Sequence, residues 1–153
     1  MGRILGLDYG QRRVGVALSD PMGITAQPLV TLDFHDAEKA WQKLSDIIFQ
    51  QKVEKIVIGL PLTLKGSKGS KARETEKFIA TLQKRFDLPV VVWDERLTTV
   101  AAQRSLREMG QSPGRNKEKL DQLSAVFILQ GYLNSRPQNN NSHQLSKGEV
   151  VLE

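Results

Sequence analysis

Residues 3–19 read RILGLDYGQRRVGVALS, and this stretch decides the fold. Arg3–Asp8 is a short apolar run that ends in an acid. Val14–Ser19 is a second apolar run, reached through Tyr-Gly-Gln-Arg-Arg. Two such runs joined by a short Gly-bearing link form a β-hairpin, with Gly10 supplying the permissive backbone of the turn. A third strand is expected over 27–33, after the turn at Asp20-Pro21-Met22-Gly23. Three strands on short turns make an antiparallel meander.

Working outward, the pattern changes to alternating helices and strands. Asp36 can cap a helix running to Gln51, with Ala40, Leu44, Ile47 and Ile48 at helical spacing. Lys55–Leu60 (KIVIGL) and Leu88–Trp93 (LPVVVW) are apolar on both faces, as strands covered on both sides must be. Helices are predicted over 70–86, over 98–109 with Thr98 as cap, and over 117–133. Strands joined through helices require right-handed crossovers and lie parallel. The expected fold is therefore α/β, a mixed five-stranded sheet (three antiparallel strands, two parallel) flanked by helices. One domain spans 1–135, and the polar, Asn-rich stretch 136–153 is expected to be disordered.

Open α/β sheets place their sites at the carboxyl ends of strands. Asp8 ends the first strand there and Glu95 follows the last. Asp121 lies near the start of the final helix, on the face that carries Ala125 and Ile128. An acid on a core-facing position is costly unless it is paired or metal-bound. Hard divalent cations take oxygen ligands, and two such ions can activate water and stabilise the leaving oxygen of a phosphodiester. Plainer readings stay open for each acid. Asp8 can cap the hairpin turn, Glu95 can pair with Arg96, and Asp121 can pair with Lys117 one helical turn away.

The chain has 153 residues, 22 Lys+Arg, 17 Asp+Glu and no cysteine, for a formal charge of +5. Without cysteine there is no disulfide scaffold, thiolate zinc site or cysteine nucleophile. No signal-peptide stretch precedes Asp8 and no apolar run is long enough to span a bilayer, so a cytosolic protein is expected. The charge is concentrated: 61–73 carries Lys65, Lys68, Lys71 and Arg73 with no acid, and 96–119 is also strongly basic. His35 and His143 are expected in solvent, which leaves Ser–His–Asp chemistry unsupported. Aromatics make up only 6% of the chain, and Trp41 and Trp93 read as core, so base stacking is not the theme.

Four motifs in order carry a resemblance. They are Gly6-Leu7-Asp8-Tyr9-Gly10 with Arg13-Val14-Gly15-Val16-Ala17; Gly59-Leu60-Pro61-Leu62 with Gly66; Asp94-Glu95-Arg96-Leu97-Thr98-Thr99; and Asp121 with Ser124-Ala125-Val126-Phe127-Ile128-Leu129. Along 3–133 the chain resembles the YqgF (RuvX-like) family of pre-16S rRNA nucleases, formerly called Holliday junction resolvases. The resemblance implies a ribonuclease H-like fold and a metal-dependent site. Asp8, Glu95 and Asp121 would be the catalytic ligands of Mg²⁺ or Mn²⁺, two ions in all. It also implies phosphate or nucleic-acid contacts from Arg13, Arg96 and Thr98, with Lys65, Lys68 and Lys71 tracking the backbone from the loop after a strand. Thr63 stands where many relatives carry Asn, and Ser124 where Ala is usual.

Other readings compete. Asp8-Tyr9-Gly10 followed by Gly15-Val16-Ala17 also resembles the phosphate hairpin of actin-like sugar kinases, which need two such domains. The expected function is an endonuclease on structured RNA that processes the 5′ end of precursor 16S rRNA, with precursor rRNA and the ribosome or its precursor as partners. Resolution of branched DNA is the alternative. It needs a dimer, and no dimer seam is visible. A non-catalytic ribosome-assembly factor is the reading from another class.

Overall fold

The computed structural model describes residues 2–63, 65–96, 98–136 and 148–152. Its strands are β1 (Arg3–Tyr9), β2 (Arg13–Ser19), β3 (Ala26–Asp33), β4 (Val53–Leu60), β5 (Val90–Asp94) and β6 (Glu149–Val150). The helices are α1 (Ala37–Gln50), α2 (Ser70–Arg85), α3 (Thr98–Glu108) and α4 (Lys117–Ser135). The six strands form one sheet in the order β3-β2-β1-β4-β5-β6. β1–β2 and β2–β3 pair antiparallel, and β1–β4 and β4–β5 pair parallel. The meander and both crossover strands fall where the periodicity predicts them.

Alternation along β1 divides the core in two. Leu5 and Leu7 face α1 and α2, joining Val14, Val16, Ile56 and Ile58 with Trp41, Leu44, Phe78 and Leu82. Ile4 points the other way, with Ala17, Val57 and Trp93, and packs on Ala125, Ile128, Leu129 and Tyr132 of α4. α3 packs against α4. α1 starts as predicted, with the Asp36 side chain accepting from the Lys39 N–H at 3.3 Å. At the β1–β2 turn Gly10 is required by crowding, since a Cβ there would lie 2.9 Å from the Arg13 carbonyl oxygen.

The sheet has one strand more than predicted, and the expectation of a disordered 136–153 is corrected at its end. β6 pairs antiparallel with β5, Val92 opposite Val150 and Trp93 opposite Glu149. The Asp94 N–H donates to the Gly148 carbonyl at 2.8 Å, and Val150 and Leu152 pack onto the core beside α1 and α2. Gly148, at φ +106°, lies on the Trp93 ring, where a Cβ would sit 2.5 Å from the indole. Val150 and Leu152 supply the apolar contacts that hold the segment against the core. Residues 137–147, His143 among them, lie outside the described residues, as do Leu64 and Leu97. His35 is exposed, as expected. Among the described residues no helix is long and apolar enough to cross a membrane.

Candidate active site

Asp8 occupies the penultimate position of β1 and, by its i+2 relation to Gly6, faces α4. Its neighbour across β2 is Gly15. A Cβ on Gly15 would collide with the carbonyl of Asp121. The bare backbone of β2 therefore lets the first turns of α4 settle onto the sheet, which delivers Asp121 beside Asp8. On the other flank of β1, Gly59 of β4 serves Glu95 in the same way. A Cβ there would lie 2.6 Å from Glu95 Oε2 and 2.6 Å from Ile128 Cδ1. The Glu95 N–H donates to the Leu60 carbonyl at 3.3 Å, which ties the residue after β5 to the end of β4.

The electrostatics of the three acids follow from this crowding. Asp8 and Glu95 share a hydrogen bond, so one carboxyl of the pair holds a proton. Burial raises Asp8 from 3.8 to about 6, with the nearby Asp121 charge adding to the rise. Glu95 is pushed up from 4.5 to about 9, first by burial, then by the charge and hydrogen bond of Asp8. Asp121 is also raised by burial, against the pull of Arg13, whose Nε donates to Asp121 Oδ2 at 2.8 Å. The positive charge of Lys71 draws down all three.

The predicted cations divide by position. Arg13 is the direct partner of Asp121 and lies between the acids and the start of α4. Arg96 is held by Asp94, its Nε donating to Oδ2 at 2.8 Å and its backbone N–H to Oδ1 at 3.1 Å. Its guanidinium lies against Gly66, so the loop after β4 and the residues after β5 meet there. Thr98 opens α3, its N–H donating to the Glu95 carbonyl at 3.0 Å. Lys71 is not on the loop, as expected from sequence, but in the first turn of α2. Lys65 is exposed on the loop, and Lys68 pairs with Glu76 at 3.2 Å. Thr63 folds that loop, its hydroxyl meeting the Ser67 hydroxyl at 2.7 Å and its carbonyl accepting from Gly66 at 2.8 Å.

A divalent cation suits this donor set by chemistry. Asp8 and Glu95 are hard oxygen donors, crowded until a proton must bridge them, and a cation removes the need for that proton. Among the described residues no group of three or more acidic or histidine side chains is gathered closely enough to hold an ion. Asp121 instead turns to Arg13. Asp94, the clamp on Arg96, and the glycines beneath the acids were missed by sequence reasoning. The glycines were visible inside the quoted motifs, but only the register shows what lies over them.

Comparison with known proteins places the chain. A family model described as "RuvX: Holliday junction resolvase" matches residues 2–135. The chain belongs to the RuvX family. Relatives named "Putative pre-16S rRNA nuclease" include one from Acetivibrio thermocellus, 44% identical over 136 residues that span 88% of this chain and 96% of the relative. Another, from Koribacter versatilis, is 48% identical over 135 residues, 88% of each chain. Both names are those of nucleases, and membership makes this RuvX chain a hydrolytic nuclease. In fold it is ribonuclease H-like. It superposes on Thermus thermophilus RuvC in complex with Holliday junction substrate at TM-score 0.51, with 10% identity, covering 84% of this chain and 92% of that one. A fowlpox virus resolvase with its Holliday junction DNA gives TM-score 0.50 at 13% identity, over 87% and 97% of the two chains.

Proposed function

We propose that this protein is a metal-dependent endonuclease that cuts structured RNA, acting in the cytoplasm on the 5′ extension of precursor 16S rRNA. The observation that carries the reading is the meeting of Asp8 and Glu95 over Gly59, with Asp121 delivered beside them over Gly15. Asp8, Glu95 and Asp121 would hold Mg²⁺ or Mn²⁺. When bound, such ions lower the pKa of a water and offset charge on the leaving oxygen.

The chain's own residues do the rest. Arg13 fixes the rotamer of Asp121 through their 2.8 Å bond. Lys71 offsets the negative charge of the acids, so that a phosphodiester can approach them. Arg96, oriented by Asp94, presents its guanidinium at the β4–α2 loop, a position suited to phosphate oxygens. Thr98 keeps the Glu95 backbone in place through its N–H. Lys65 and Lys68 extend the positive surface along that loop without reading base sequence.

The test is cleavage of precursor 16S rRNA and of a four-way DNA junction side by side, with Mg²⁺, with Mn²⁺ and with chelator. Metal-dependent trimming of the RNA is expected. Preferential cutting of the junction would transfer the assignment to branched DNA, and binding of precursor without cleavage of either would leave an assembly factor. Asp8→Asn should abolish cleavage and leave metal-free thermal stability unchanged or higher, because it removes a carboxylate from a crowded set.

A further inference from the structure

A second positively charged feature lies on the other side of Asp8 from the β4–α2 loop. Arg13, Arg115, Lys117 and Lys119, with Glu118 as the one acid, line a cleft of about 820 Å³ at the start of α4. The lining is completed by a glycine and two amide side chains and includes no apolar residue. Small-molecule sites are predominantly apolar with a few polar anchors, so this composition fits a phosphodiester backbone better. Among the described residues none of Arg115, Lys117 and Lys119 makes an ion pair, which leaves their charge available to a ligand. The cleft is continuous with the acids through Arg13, which lines it and bonds Asp121.

The sheet order fixes where this cleft stands. β2, β1 and β4 are neighbours, so Asp8 on β1 sits between Arg13 at the start of β2 and the loop that follows β4. Strands about 4.8 Å apart put the two flanks roughly 10 Å from each other, the axial rise of about three nucleotides of one duplex strand. We infer that the Arg115–Lys117–Lys119 cleft binds the substrate backbone on one side of the scissile phosphate while the β4–α2 arm binds it on the other. The inference rests on the nuclease reading and deepens it: the substrate runs through the site, and the cut is internal.

The experiment measures binding rather than cleavage. A fluorescein-labelled RNA hairpin with a single-stranded extension is titrated in chelator, followed by anisotropy from about 50 to about 200 mM salt. Removing one cation that neutralises a phosphate flattens the log–log salt slope by about 0.7 to 0.9. The triple variant Arg115→Ala, Lys117→Ala, Lys119→Ala is therefore expected to flatten the slope by about 2. A charge-matched variant, Arg104→Ala, Arg107→Ala, Lys84→Ala, removes three cations outside the cleft and should keep the wild-type slope. Thermal melts confirm that both variants fold. A wild-type slope in the cleft variant, or an equal flattening in the charge-matched one, overturns the inference and leaves the nuclease assignment standing. Failure of the wild type to bind RNA or junction DNA overturns both.

Discussion

Asp8 and Glu95 have ordinary side chains in an arrangement that makes them abnormal acids. Both bind protons more tightly when folded than when unfolded, Asp8 from 3.8 to about 6 and Glu95 from 4.5 to about 9. The folded, metal-free protein therefore retains protons that the unfolded chain releases, and stability falls as pH rises between about 4 and about 9. Below about 4 both states are protonated and the effect vanishes. Urea midpoints across that range in chelator should show the decline, and Glu95→Gln should remove most of it. A flat profile in the wild type would mean that the two carboxyls are not crowded. Gly15 gives a steric prediction. An alanine methyl there meets the Asp121 carbonyl, so α4 must lift. Gly15→Ala should cost about 1–3 kcal/mol in denaturant titration and should impair cleavage with it. Full stability would mean α4 does not seat on β2 as closely as described.

Among the elements, β6 shows what a two-residue strand contributes. Val150 and Leu152 pack on the core while Gly148 lies across Trp93. Replacing both Val150 and Leu152 by Ser should lower stability by roughly 1–2 kcal/mol, read as a shift in urea midpoint. An unchanged midpoint would detach β6 from the folded unit. This strand was not legible in the sequence because two paired residues behind a polar stretch carry no periodicity, whereas β1 and β4 announce themselves through unbroken apolar runs. The placement of the candidate acids was legible for a related reason, since Asp8 near the end of β1 and Glu95 just past β5 stand at one edge of the sheet. The Arg13–Asp121 bond was not, because it joins residues 108 apart in sequence and depends on how α4 crosses β2. Lys71 was misplaced by a few residues only. It was assigned to the loop although the helix was predicted from residue 70, which is where α2 begins.

For the whole molecule, an ion that binds the folded state alone stabilises it by mass action, about 2.7 kcal/mol at a hundred times its dissociation constant. Mn²⁺ or Mg²⁺ should therefore raise the melting temperature of the wild type and leave Asp8→Asn almost unmoved; an equal rise in both would place the ion elsewhere. The rims of the sheet have a separate consequence. On one side β3 carries Pro28, which has no N–H to offer, beside an irregularity in its pairing with β2. On the other, β6 presents only two residues. Among the described residues, the proline and irregular pairing on one rim and the shortness of the other work against edge-to-edge aggregation. They also disfavour one route to self-association. Two copies acting together, as symmetric cutting of a four-way junction demands, would find these rims poor places to join their sheets.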